Sequence, residues 1–404
     1  MRQATAYQEA LFPDLAAEFP STRYQGSKAK LAGWIWDQIA DLDFATCLDA
    51  FGGTGAVAYR LKQAGKRVTY SDLLRFNYYI GLALIENRQV RLTPDEVDWL
   101  LLRHPEIEYP RFVQDNFADI YFTDDENAWI DQTITNIRQL TDPYELALAF
   151  FALCQACIIK RPYNLFHRKN VYIRFAEVER SFGNKTTWDR PFDEWFQVFA
   201  MEANRGVFDN GHANRALNSH ALRVPGEYDL VYIDTPYISK RGVGVNYLSF
   251  YHFLEGLTMY DEWGEHIDRR SKHRRLKPQP SEWTDKKRIH AAFDRLFARY
   301  RESILVVSYR SDGIPSQLEL VSLLKRYKHR VRVEHFGQYK YVLSTNTASR
   351  ETLLIGKAQE IECADALSSR QFTHRVEPAS ALRRGASCGS QGDANDHVGY
   401  SQTA

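Results

Sequence analysis

The sequence lacks any apolar run of about 18 residues, which excludes a helix that spans a bilayer. It has five cysteines in 404 residues, too few and too scattered for a disulfide framework, so a reducing cytoplasm is the expected compartment. Its first residues, Met1 to Pro20, carry acidic side chains and no continuous apolar core, so no secretory signal is expected. There is no excess of charge either. Lysine and arginine number 52 against 51 acidic residues, a net charge of +1. That balance excludes a histone-like coat for nucleic acid, yet it leaves room for a basic patch on one face. No internal repeat is visible.

What is present is enough for a fold. Aromatic residues make up 13% of the chain, sufficient for a large core and incompatible with disorder throughout. The stretch 46–51 is a short apolar run ending at glycines and predicts a buried strand. Gly53 to Ala64 predicts a helix start with Val57, Leu61 and Ala64 on one face. Arg67 to Asp72 predicts a second strand. Strand, glycine turn, helix and strand make the βαβ unit of a parallel sheet. Further strands are predicted at 229–233 and 303–308, and weaker ones at 331–336 and 351–355. About 155 residues separate the second strand from the third, too many for a crossover and enough for an inserted domain. That insertion holds a buried helix over 144–159 and an aromatic, basic stretch over 160–196. The expected organisation is a weakly ordered lead-in at 1–22, a catalytic domain from 23–90 and 215–360, an inserted helical, target-recognition region at 91–214, and a disordered tail at 361–404.

Two segments carry chemistry. Asp49-Ala50-Phe51-Gly52-Gly53-Thr54-Gly55 lies where a strand meets a helix, and its glycines let a ligand approach backbone amides closely. Asp72, closing the next strand, suits ribose hydroxyls. The glycines alone also fit a nicotinamide dinucleotide or a tight turn with no ligand. Asp49 argues against a dinucleotide, because a carboxylate repels pyrophosphate and favours a cationic or amine-bearing cofactor. Phe51, Gly53 and Gly55 after Asp49 have the form typical of S-adenosyl-L-methionine sites.

The second segment, Asp234-Thr235-Pro236-Tyr237, directly follows a predicted strand. Pro236 ends the strand and holds the preceding Thr235 extended. The Asp234 carboxylate and the Thr235 carbonyl are then two fixed acceptors for the hydrogens of an exocyclic base amine. Tyr237 supplies a flat face for a base flipped out of a duplex. Catalysis of this kind rests on orientation and electrostatics. Alone, the tetrapeptide reads as a strand-ending turn; paired with the glycine turn, it reads as a site.

Taken together, the segments resemble the D12 class of DNA adenine-N6 methyltransferases, the alpha group that includes Dam-type enzymes. The resemblance runs from residue 23 to about 356. Tyr24-Gln25-Gly26-Ser27-Lys28 resembles the N-terminal motif, which implies that Tyr24 and Lys28 bind the cofactor and that Lys28 meets its carboxylate. Asp49 to Gly55 resembles the cofactor glycine motif, and Asp72 the ribose-binding acid. Asp234 to Tyr237 resembles the catalytic motif, with Thr235 in place of the usual first proline. Lys160 to Asn170 resembles a region near DNA. The family's aspartate before the catalytic strand is absent, and Asn218-Ser219-His220-Ala221 stands there instead. The implied fold is α/β, a Rossmann-like class I methyltransferase sheet with an inserted target-recognition domain. The implied cofactor is S-adenosyl-L-methionine and the implied substrate is double-stranded DNA. A cognate restriction endonuclease is an implied partner, and no metal is required. Cytosine N4, RNA, or a catalytically silent DNA-binding module remain as alternatives.

The expected DNA contacts are Arg161, Asn164 and Arg168 in the insertion, together with the basic run Arg269, Arg270, Lys272, Arg274 and Arg275. Structural roles compete in both places: packing for the first group, a solvated loop for the second. Tyr309 to Gly313 follows the predicted strand at 303–308 and is expected at the same edge of the sheet, with a helix cap or loop role as the equal alternative. Cys154-x-x-Cys157 is expected to be a pair of core thiols, since no second pair has zinc spacing. His167 and His252 stand alone.

Overall fold

A computed structural model of the chain describes residues 17–176, 185–337 and 350–357. The lead-in before residue 17 and the tail expected to be disordered, 361–404, lie outside the described residues.

A seven-stranded sheet organises the molecule. Its strands are β1 (Thr46–Asp49), β2 (Arg67–Asp72), β3 (Arg215–Asn218), β4 (Leu230–Ile233), β5 (Ile304–Arg310), β6 (Arg330–Phe336) and β7 (Glu351–Lys357). The spatial order is β3-β2-β1-β4-β5-β7-β6. β1 is parallel to β2 and β4, and β4 is parallel to β5. β7 runs antiparallel between β5 and β6. Chain direction therefore reverses its lateral progress between β1 and β4, which is where open α/β sheets bind ligands.

Side chains alternate across the sheet as a two-residue period requires. Cys47, Tyr70, Leu230, Tyr232 and Val306 enter one apolar cluster. Leu48, Val231, Ile233, Leu305 and Val307 enter the other. The principal helices are α1 (Ala32–Ile39), α2 (Ala56–Gln63), α3 (Arg75–Gly81), α4 (Asp124–Ile137), α5 (Pro143–Ile159), α6 (Phe192–Arg205), α7 (Tyr247–Leu257), α8 (Ile289–Arg299) and α9 (Gln317–Leu324). α1, α2 and α3 supply Ile35, Leu61 and Ile80 to the first cluster. α8 and α9 supply Phe293 and Leu324 to the second.

The helix expected at 144–159 is α5. Asp142 caps it, accepting from the amides of Tyr144 and Glu145, and Pro143 occupies its first turn, where no amide hydrogen is needed. Its residues from Ala147 to Ile159 are buried all round, so it has no wet face. It packs on α3 and α6. Phe150 and Leu153 of α5 and Phe199 of α6 share one cluster with Tyr70 of β2 and Ile80 of α3.

Candidate active site

The candidates that follow strands lie on one edge of the sheet, because parallel strands deliver their last residues to the same side, and Tyr24 and Lys28 join them on the cavity wall from before β1. Asp49 ends β1 and Asp72 ends β2, while Asp234 directly follows β4. These surround a cavity of about 790 Å³, lined by Phe51, Gly53, Asn218, Asp234, Tyr247 and Trp283 among others. That is the size of a cofactor or small-molecule site, which spans roughly 300–1,000 Å³.

The glycine turn is held by its own hydrogen bonds. The Gly52 amide donates to the Ser71 carbonyl at 2.9 Å and the Gly55 amide to the Gly52 carbonyl at 2.8 Å. A Cβ on Gly52 would come within 2.0 Å of the Tyr70 ring, so only glycine fits against that side chain. Gly55, at φ +75°, is the left-handed residue from which α2 starts. The Asp72 carboxylate accepts from the Gly53 amide at 2.9 Å and the Leu74 amide at 2.8 Å, tying the two strand ends together. Burial raises its pKa, and those amide bonds pull it back down.

Asp49 differs. It is buried at the cavity wall, and its Oδ1 has no hydrogen-bond partner among the described residues. Burial, with the charge of Asp234 nearby, pushes its pKa up to about 8. An unpaired buried carboxylate oxygen is a ready partner for a cation. The residues present therefore fit a cofactor that carries an ammonium or sulfonium centre.

In the acceptor half, Lys28 Nζ donates to Asp234 Oδ1 and Oδ2, both at 2.8 Å, and to the Tyr237 hydroxyl at 2.7 Å. It lies 5.0 Å from the centroid of the Tyr237 ring. The structure thus places the Lys28 ammonium on the catalytic motif, where the sequence resemblance had implied a contact with the cofactor carboxylate. Burial raises the Asp234 carboxyl above its usual range, with Lys28 pulling the other way. Thr235 and Tyr237 are both buried, the Tyr237 ring packing edge-on against Tyr309 with centroids 5.0 Å apart, so in this state the ring does not offer the open face expected for a flipped base. Tyr24 stacks with Tyr251 (centroids 4.5 Å apart) and with Tyr247 (5.4 Å), two residues one turn apart on α7. Asn218 spends its amide nitrogen on the carbonyls of Asp72 and Leu73 and stays on the cavity wall.

Some site residues were not foreseen. Glu351, the first residue of β7, lies 2.9 Å from the Tyr237 hydroxyl, which is equally close to Asp234 Oδ1, so the single hydroxyl hydrogen serves one carboxylate at a time. Glu255 caps α3 through the amides of Arg75 and Phe76, and burial pushes its pKa up to about 7. Trp283 packs edge-on against Phe51 at 5.0 Å and closes the cavity. It comes from the segment just after the basic run, where no motif marks it.

The expected DNA residues divide. Arg161 is fully buried, against expectation. Its guanidinium donates to the carbonyls of Tyr121, Leu165 and Arg168 and to the Asn170 side chain, and it lies 4.4 Å from the Tyr121 ring centroid. A charge already satisfied inside the core does not reach a phosphate, so Arg161 holds its loop together instead. Asn164 is half-buried in a turn with φ of 56°, and Arg168 is exposed. The run 269–275 is a tight hairpin pinned by Asp268 and Arg275 backbone atoms and by the Ile267–Leu276 bridge. Arg269, Arg270 and Lys272 point outward from it. Arg274 is half-buried and donates to the Arg269 carbonyl, while Arg275 pairs with Asp268 at 3.4 Å. Leu276 and Lys277, which follow directly, line the cavity. Cys154 and Cys157 are buried thiols in α5, and burial raises both. Among the described residues, no three histidine, cysteine or acidic side chains are grouped to hold a metal ion.

A mostly parallel sheet in this order, with Asp49, Asp72 and Asp234 at its strand ends on one cavity, is consistent with the Rossmann-like methyltransferase fold. Residues 24–311 match the model of the D12 class N6 adenine-specific DNA methyltransferases, and the chain belongs to that family. It is 29% identical over 324 residues to the type II methyltransferase M2.HphI of Haemophilus parahaemolyticus, covering 78% of this chain and 90% of that protein. It is 25% identical to the type II methyltransferase M.FokI of Planomicrobium okeanokoites, over 76% of this chain but 47% of that longer protein. It is 23% identical to M.CviAII of Paramecium bursaria Chlorella virus 1, over 80% and 93% of the two chains. The family selects adenine N6 in DNA over the cytosine and RNA alternatives.

Proposed function

We propose that the cavity binds S-adenosyl-L-methionine and that Asp234 to Tyr237 present a flipped adenine to it. The observation that carries this reading is the pair of carboxylates across one cavity: Asp49 with an unpartnered oxygen, and Asp234 already holding an ammonium. When bound, the cofactor supplies a methyl group on a sulfonium, whose positive charge is lost on transfer. Asp49 faces its cationic part, Asp72 its ribose, and Phe51 with Asn218 and Ser219 its adenine. Asp234 and the Thr235 carbonyl accept hydrogen bonds from the two hydrogens of the target amine. That turns the nitrogen lone pair away from the base ring and toward the methyl group, so the chain contributes orientation and charge rather than a covalent intermediate. The nitrogen sheds one of those hydrogens as a proton once it carries the methyl group, with Asp234 the acceptor at hand.

The helical region 91–214 recognises the target. Its exposed Tyr163, Tyr172 and Phe175 lie in one segment with Arg168 and Lys169. Rings that stack on bases and cations that neutralise phosphates suit nucleic acid. The outward Arg269, Arg270 and Lys272, on a hairpin that runs into the cavity wall, grip the duplex beside the flipped base. The type II relatives point to restriction–modification, with a cognate endonuclease as partner and the cytoplasm as compartment. No helix among the described residues is long and apolar enough to cross a membrane.

The decisive experiment is single-molecule sequencing of genomic DNA from a host expressing the chain, beside one expressing Asp234→Ala. Methylated adenine in one short motif, absent in the variant while cofactor binding persists, is the expected result. Transfer that survives the substitution overturns the acceptor assignment.

A further inference from the structure

Glu351 lies at the centre of the acceptor half, yet methyl transfer as derived above gives it no task. It is fully buried. It arrives there because β7 is antiparallel: its first residue pairs with Arg310, the last residue of β5, at the edge where the parallel strands end. Its Oε1 accepts from the Ser308 hydroxyl, lies 2.9 Å from the Tyr237 hydroxyl that is equally close to Asp234 Oδ1, and lies 3.6 Å from Lys28 Nζ.

Two carboxylates therefore share one ammonium, unequally. Lys28 sits at hydrogen-bond distance from Asp234, at 2.8 Å, and farther from Glu351. The Asp234 oxygens are those the target amine requires, and Lys28 lies over the ring on which the base is to stack. A target amine that bonds Asp234 and a base that stacks on Tyr237 compete with Lys28 for both places. An ammonium pulled off its partner in a buried site is strongly destabilised unless another charge receives it. Glu351 is already within reach.

We propose that Glu351 is a positioning residue that receives the Lys28 ammonium when the target amine takes Asp234, while keeping the Tyr237 hydroxyl fixed. The proposal rests on the assignment of Asp234 as the amine acceptor. No bond is made or broken in the exchange and no proton moves. Before it, Asp234 holds Lys28; after it, Asp234 holds the base amine and Glu351 holds Lys28. Every buried charge keeps a partner in both states.

The test compares Glu351→Gln in two backgrounds, the natural chain and Lys28→Gln, using the full-length protein, duplex DNA with its target site and S-adenosyl-L-methionine. Glutamine keeps an acceptor for Tyr237 and Ser308 but not the charge. With Lys28 present, Glu351→Gln is expected to slow single-turnover methylation about tenfold or more, with cofactor affinity and melting temperature little changed. In the Lys28→Gln background the same substitution is expected to slow it by less than about twofold, since there is no ammonium to receive. Equal losses in both backgrounds, or no loss in either, overturn the proposal. Glu351→Asp, which keeps the charge but shortens the reach to Tyr237, is expected to retain more single-turnover activity than Glu351→Gln, and the reverse order also overturns it. Asp234→Asn separates the two ideas: transfer that survives it refutes the acceptor assignment, whatever Glu351 does.

Discussion

Arg161 and Arg270 belong to two basic stretches of similar appearance, and the fold uses them in opposite ways. The Arg161 side chain is enclosed by Tyr121, Phe122 and Phe166 and satisfied by carbonyl oxygens. The Arg270 side chain is 96% exposed, with Asp268 at 3.5 Å as a weak companion. A planar guanidinium with five donors serves either purpose: it organises a loop when carbonyls converge on it, and it meets phosphate when nothing else claims it. The same contrast holds for the acids. Asp72 is spent on two backbone amides, whereas Asp49 is buried with an oxygen to spare.

The sharpest way to break the comparison is to remove Arg161. Arg161→Ala strands several buried carbonyls, each worth roughly 1–3 kcal/mol. The expected loss is at least about 3 kcal/mol, visible as a large drop in melting temperature, with DNA binding falling only as the folded fraction falls. Normal stability with selectively weakened DNA affinity would reverse the assignment. Glutamate at Arg269, Arg270 and Lys272 together should do the opposite. Melting is expected to stay unchanged and DNA affinity to fall about tenfold or more on all sequences alike. The salt dependence is expected to flatten by about one unit of slope for each phosphate that the hairpin no longer neutralises. Weakening confined to the methylated motif would instead make the hairpin a reader of base sequence.

The smallest effect concerns Asp49. With its carboxyl raised to about 8 by burial, the group is largely neutral at about pH 7 in the unliganded protein. A bound cation holds it ionised, so cofactor binding releases a proton. Affinity is then expected to rise with pH, by up to about tenfold per unit, and to level off above about 8. By the same sign, the unliganded fold loses stability as pH climbs from about 4, the ordinary aspartate value, toward about 8. Calorimetry in two buffers of different ionisation enthalpy measures the proton directly, and Asp49→Asn should abolish it. A pH-independent affinity would show that Asp49 faces no cation.

Much of the sheet was legible because buried strands are short apolar runs that stop at turn residues. Arg67–Asp72 is observed as expected, and the strands predicted at 229–233 and 303–308 shift by one or two residues. β3 escaped notice because Arg215–Asn218 is an edge strand with Ala216 as its buried residue, too little for a period to show. Its last residue is Asn218, so the segment read only as a replacement for a missing aspartate is also a strand end that shapes the cavity. The glycine turn and Asp234–Tyr237 were legible because they depend on local backbone geometry, which adjacent residues determine. The ligands of Lys28 and the burial of Arg161 were not, since both depend on what arrives from distant parts of the chain.

The sequence by itself therefore determined the α/β class and the two motifs at strand ends, which follow from short-range periodicity and turn chemistry, and those motifs carry the family resemblance. Only the tertiary structure decided which charges are spent and which remain open. The clearest case is Glu351, which lies 117 positions beyond Asp234 in the chain. It joins the acceptor site because an antiparallel strand brings its beginning to the edge where parallel strands bring their ends, and no local pattern encodes that meeting.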